Sequence, residues 1–77
     1  MRVYVSSITN GDTRQSFGLA SHAVDSKRLG KFQAQRIADS GITVGEVRCT
    51  DFRIEEHPRG YSALSFELPS ELILFAR

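Results

Sequence analysis

Phe52-Arg53-Ile54-Glu55-Glu56-His57-Pro58-Arg59-Gly60-Tyr61-Ser62-Ala63-Leu64-Ser65-Phe66 is the stretch that decides the fold. On both sides of Pro58-Arg59-Gly60, apolar residues alternate with polar ones, the two-residue period of a half-buried strand. Pro58 presets the first position of a type I turn, and Gly60 accepts the left-handed backbone that closes a three-residue loop. Folding about that loop sets Ile54 against Leu64 and Phe52 against Phe66, so each apolar side chain meets another on one face. Turn chemistry and side-chain pattern agree on a hairpin.

Upstream the period changes. From Asp25 to Ser40 the spacing is helical, with Asp25 placed to cap the first turn and Gly41 to end the helix in a left-handed conformation. At about 100° per residue, Leu29, Gly30, Gln33, Ala34 and Ile37 share one side. Lys27, Arg28, Lys31 and Gln35 fall opposite, with Phe32 and Arg36 at a margin. Between helix and hairpin, Ile42 and Val44 share one phase, Val47 and Cys49 the other, and Phe52 and Ile54 return to the first. Two phase changes predict bulges or bends near Gly45 and near Thr50-Asp51.

At the start of the chain, residues 2–9 are rich in strand formers and run into Asn10-Gly11, a dipeptide suited to a tight turn. That turn places Phe17 opposite Tyr4 and Thr13 opposite Ile8; a looser loop from Asn10 to Arg14 would shift the register. At the other end, Pro69-Ser70 precedes Glu71-Leu72-Ile73-Leu74-Phe75. The run reads as a strand with Ile73 against Phe66 and Phe75 against Leu64, and a short helix capped by Ser70 is the competitor. The expected class is α+β: a small antiparallel sheet in ββαβββ order with one helix packed across one face. No linker or repeat interrupts it, so residues 1–77 read as a single domain.

Composition narrows the functional classes. A chain of 77 residues excludes the large barrel and doubly wound catalytic domains, which need roughly 200 or more. An apolar fraction of 40% and a charged fraction of 25% are ordinary for a globular domain. The N-terminus has no apolar stretch of signal-peptide kind. The longest apolar run, Leu72 to Ala76, is five residues, against the ~20 of a membrane helix. The single cysteine, Cys49, cannot form an internal disulfide, so cytoplasmic residence and no membrane association are expected.

Catalytic and metal readings find little support. His22, Cys49, Asp51 and His57 lack the short spacings of zinc modules and read instead as strand-end, core and turn residues. Glu55 and Glu56 are adjacent on a strand and face opposite sides, so they cannot act as a pair. Gly41-Ile42-Thr43-Val44-Gly45 lacks the lysine and the strand-to-helix context of a phosphate loop. The expectation is a non-enzymatic protein without cofactor.

Charge is distributed unevenly. Residues 1–40 hold six basic groups against three acids and residues 41–77 four against six, so +3 and −2 make the net +1. Lys27, Arg28 and Lys31 form a basic helix face that Arg14 could extend. Arg59 and Tyr61 stand at the hairpin tip, and these residue types dominate protein–protein hot spots. With Arg36 and Arg53 they make up the candidate binding set. By elimination the chain reads as a small binding module acting on a larger protein or nucleoprotein complex. Small phage- or bacterium-encoded inhibitors, anti-CRISPR proteins among them, belong to that class by size alone. The alternative is a nucleic-acid-binding protein that uses the basic helix face against phosphates.

Overall fold

A computed structural model describes residues 1–10 and 15–72. Among these residues are six strands and one α-helix: β1 (Arg2–Asn10), β2 (Gln15–Ala20), α1 (Lys31–Ser40), β3 (Thr43–Val44), β4 (Val47–Arg48), β5 (Thr50–Glu56) and β6 (Ser62–Glu67). Four strands form an antiparallel sheet in the order β2-β1-β6-β5, and β3 and β4 form a separate hairpin. The α+β class with one helix against a small antiparallel sheet is the expected one.

The deciding hairpin folds as its sequence reads. Ile54 pairs with Leu64 and Arg53 with Ser65. The His57 N–H donates to the Tyr61 carbonyl at 2.8 Å, the Gly60 N–H to the His57 carbonyl at 2.9 Å, and Gly60 has φ 93°. Phe52 meets Phe66 as a tilted ring pair with centroids 5.5 Å apart. Leu64 and Phe66 are fully buried in a core with Val3, Val5, Leu29, Ala34, Ile37, Ile42 and Cys49, against which Phe52 and Ile54 pack.

The helix begins six residues later than its periodicity predicts, at Lys31 rather than Asp25. The reason is tertiary. The Lys27 N–H donates to the Val5 carbonyl at 2.8 Å, and Leu29 exchanges both backbone bonds with Ser62 at 2.8 and 2.7 Å. β1 pairs with β6 only from Arg2 to Tyr4, and residues 27–29 fill the gap where the two strands part. A backbone committed to the sheet cannot also be helical. Asp25 lies in a 3₁₀ turn (Ala23–Asp25) and caps nothing, while Gly30 takes the N-cap position. Leu29, Ala34 and Ile37 are buried as expected, but Gly30 and Gln33 are exposed. Gly41 ends the helix with φ 83°, its N–H bonded to the Ile37 carbonyl.

Two other expectations change. Phe17 pairs with Ile8 and Tyr4 with Ala20, not Phe17 with Tyr4. The last β1–β2 pair is Asn10↔Gln15, so the longer connection sets the register; the turn itself and Thr13 lie outside the described residues. Ser6 is an extra residue on β1 between the Val5↔Leu19 and Ser7↔Gly18 pairs. The bend expected near Gly45 is a two-residue hairpin turn between β3 and β4. The one at Thr50-Asp51 is a bulge: two residues of β5 oppose Phe66, and Asp51 sits at φ 60°. Finally, Ser70–Leu72 form a 3₁₀ turn where a strand from Glu71 is expected, with the Leu72 N–H bonded to the Pro69 carbonyl at 2.9 Å. Pro69 and the Ser70 hydroxyl favour such a turn over strand entry. The pairings of Ile73 and Phe75 lie outside the described residues.

Candidate functional site

Alternation along β6 decides what each side of the sheet presents. Leu64 and Phe66 point to the core beneath α1, so Tyr61, Ala63 and Ser65 face away from it. Among the described residues no helix covers that second side, yet Ser65 is 0% and Ala63 8% exposed. Arg2 reaches from β1 across β6, donating to the Ser65 hydroxyl and the Asp51 carbonyl, each at 3.1 Å, and to the Asp51 carboxylate at 2.8 Å. It thus satisfies a carbonyl at the bulge and pins β5 to β1. The Tyr4 hydroxyl lies 3.4 Å from the Glu55 carboxylate, and Arg53 stands in the same row, opposite Ser65.

At the hairpin end of this face three side chains stack. The His57 and Tyr61 rings lie parallel, 9° apart in plane with centroids 4.4 Å apart. The Arg28 guanidinium sits 4.8 Å from the Tyr61 ring centre. The three-residue loop brings His57 and Tyr61 side by side, and the Leu29–Ser62 bridge brings Arg28 over them. The Arg59 N–H donates to His57 Nδ1 at 3.3 Å. Together these contacts fix an exposed arginine, an exposed imidazole and a half-buried tyrosine before any partner arrives. On the helix side of the same tip, Lys31 Nζ pairs with Glu56 at 3.3 Å. The pair offsets the unfavourable position of a cation at a helix N-terminus.

The tip carries a cleft of about 210 Å³ lined by Lys31, Glu56, His57, Gly60, Tyr61 and Ser62. That is smaller than the roughly 300–1,000 Å³ of small-molecule sites. A larger groove, about 440 Å³, runs along one side of α1 between Phe32, Arg36 and Asp39. Its walls come from a single helix. Cys49 is no nucleophile: it is 1% exposed, and burial pushes its thiol pKa up, only partly opposed by a backbone hydrogen bond at Val44.

The structure divides the candidate binding residues. Arg28 and Tyr61 meet at the tip, Arg59 sits in its loop with its backbone N–H on His57, Arg53 lies farther along the same face, and Lys31 borders the tip from the helix side. Arg36 lies on α1, and Arg14 falls outside the described residues. Lys27 and Arg28 are not helical, so the continuous basic helix face does not form. Within it, Lys31 is ion-paired, and Gln35 bonds to Asp39 at 2.8 Å. In the sequence His57 reads as a turn residue, and neither Arg2 nor Tyr4 stands out as a site residue. The signal for His57 was its position flanking a three-residue loop opposite Tyr61. The signal for Arg2 was tertiary and not local.

No protein-family model, no curated protein and no solved structure matches the chain. Among the described residues, no helix is long and apolar enough to cross a membrane.

Proposed function

We propose that this chain is a non-enzymatic binding module that docks on an acidic surface of a larger protein through the β5–β6 tip and the helix-free face behind it. The observation that carries the reading is the Arg28–Tyr61–His57 stack. Arginine and tyrosine held in one geometry lose little side-chain entropy on binding, and this is the property that makes them anchors. Arg28, Arg53 and Arg59 have no ion-pair partner among the described residues, so each can offer its guanidinium to a carboxylate. Inhibition by covering a functional surface is a mode of action open to a module of this size.

A phosphate backbone is the weaker partner. The helix face that would have tracked it is broken, and the Tyr61 ring already stacks on His57 and Arg28, so a base would have to displace them.

The test is a pull-down from bacterial lysate with and without nuclease, followed by an alanine scan with kinetic readout on the partner obtained. Arg28→Ala, Arg59→Ala and Tyr61→Ala are each expected to cost roughly 2 kcal/mol of binding, with Arg36→Ala near zero. Loss of capture on nuclease treatment points to a nucleic-acid or nucleoprotein partner. Loss of binding on changes at Glu46 or Glu71, with the tip variants intact, moves the site to the acidic surface.

A further inference from the structure

We propose that the chain pairs with a second copy of itself, edge to edge, through β2. The strand borders the sheet, and no described residue pairs with its outer side. Unsatisfied edges of this kind are normally blunted by charge, proline or a bulge in the edge strand. β2 has none of these. From Gln15 to Val24 the chain contains no Asp, Glu, Lys, Arg or Pro.

The order of residues about Gly18 is self-complementary. An identical strand run antiparallel, with the two-fold axis at Gly18, sets Phe17 of one copy opposite Leu19 of the other, twice. The same register places Ser16 opposite Ala20 and Gln15 opposite Ser21, with no like charges facing. Phe17 and Leu19 pair with Ile8 and Val5 on the core side of the sheet, so the new apolar contacts extend the existing core. Leu19 is 36% exposed in the isolated chain, large for an apolar side chain on that side. At the crossing point the backbone is bare. A Cβ on Gly18 would stand 2.2 Å from the Ser7 hydroxyl oxygen of its own chain, so a side chain here would require that hydroxyl to turn away.

The two-fold axis stands normal to the sheet, and the contact is therefore isologous and closed. The two four-stranded sheets join into one, with both helices on one side and both helix-free faces on the other. A strand from a different protein could use the same backbone groups, and the Phe17–Leu19 match about Gly18 is what favours a second copy of this chain. Pairing here does not depend on what the hairpin tip binds, and the tests below involve no other protein.

Light scattering on the eluting full chain, over increasing concentration, is expected to give a mass rising from 8.6 kDa towards twice that value. Leu19→Lys places a charge in the seam and is expected to hold the mass at 8.6 kDa throughout, with its melting midpoint in dilute solution unchanged. The variant Ser16→Cys/Ala20→Cys tests register. Four residues apart on one strand, the two thiols are about 13 Å from each other and cannot bridge within a chain. Oxidation is expected to give a covalent dimer on a non-reducing gel, well ahead of Glu55→Cys on the opposite edge. A native chain that remains at 8.6 kDa at the highest concentration overturns the proposal. So does a dimer indifferent to Leu19→Lys, or one in which Glu55→Cys cross-links as fast as the β2 pair.

Discussion

β5 and β2 both border the sheet, but β5 carries four charged side chains in seven residues whereas β2 carries none in six. β5 also holds an extra residue opposite Phe66, with Asp51 at φ 60° and Arg2 clamped onto the exposed carbonyl. Charge and a bulge are how sheets refuse an incoming strand. The contrast teaches that the two ends of this small sheet are built for different kinds of contact. The β5–β6 end offers side chains in fixed positions, and the β2 end offers backbone. A partner at the first is recognised by guanidinium and aromatic chemistry, and a partner at the second by strand pairing.

The largest effect expected is in the shared core. Phe66 is fully buried between the two halves, and Phe66→Ala should cost about 3–5 kcal/mol, most of the stability of a domain this size. Phe17, half-buried near the other edge, should cost about 1 kcal/mol on the same change, since only part of its surface leaves water. Denaturant melts of the two variants compare the ends directly. Equal losses would mean that β2 is as firmly packed as β6.

The next effect belongs to the hairpin alone. Gly60→Ala forces a Cβ into a left-handed backbone at φ 93° and should cost about 1–2 kcal/mol. The same melts should show no change of similar size for Gly30→Ala, where a Cβ meets nothing within 4 Å and φ is −70°.

These differences track what could be read in advance. The β5–β6 hairpin was legible because Pro58, Gly60 and the alternating apolar residues are local signals that reinforce one another. The β1–β2 register was not, because Asn10-Gly11 fits a two-residue turn while the apolar match of Ile8 with Phe17 is reached only through a longer connection. The helix start was misread for a related reason. Asp25 and the periodicity of residues 25–30 favour a helix locally, but Lys27 and Leu29 have better backbone partners in Val5 and Ser62, which no local pattern reveals. At the candidate site, Arg59 and Tyr61 could be picked out from the loop. That Arg28 would join them, and not a helical stripe with Lys31, follows from that same late start.

A smaller effect sharpens the description of the tip. A double-mutant cycle of Arg28→Ala and Tyr61→Ala should give a coupling of about 0.5–1 kcal/mol in stability, as for an exposed cation–π pair. A coupling of zero would mean that Arg28 is free over the ring and not preorganised.

The smallest effect concerns pH. A hydrogen bond from the N-terminal amine of Met1, aided by Arg2 and Arg53, lowers the Glu67 pKa. A depressed carboxylate stabilises the fold above its ordinary value of about 4.3, and that contribution is lost as pH falls through the lowered folded value. Glu67→Gln should therefore flatten the acid limb of the stability profile below about pH 4 and lower stability by a constant amount at neutral pH. An acid limb as steep as that of the native chain would remove Glu67 from the account.

The difference between the two edges is tested most directly by amide hydrogen exchange on the full chain, residue by residue, at low and high protein concentration. The account predicts that the β2 amides pointing away from β1 exchange more slowly as concentration rises, while those on the outer side of β5 exchange at an unchanged rate. Outward β2 amides that exchange equally fast at every concentration, or β5 amides that slow in step with them, would contradict it.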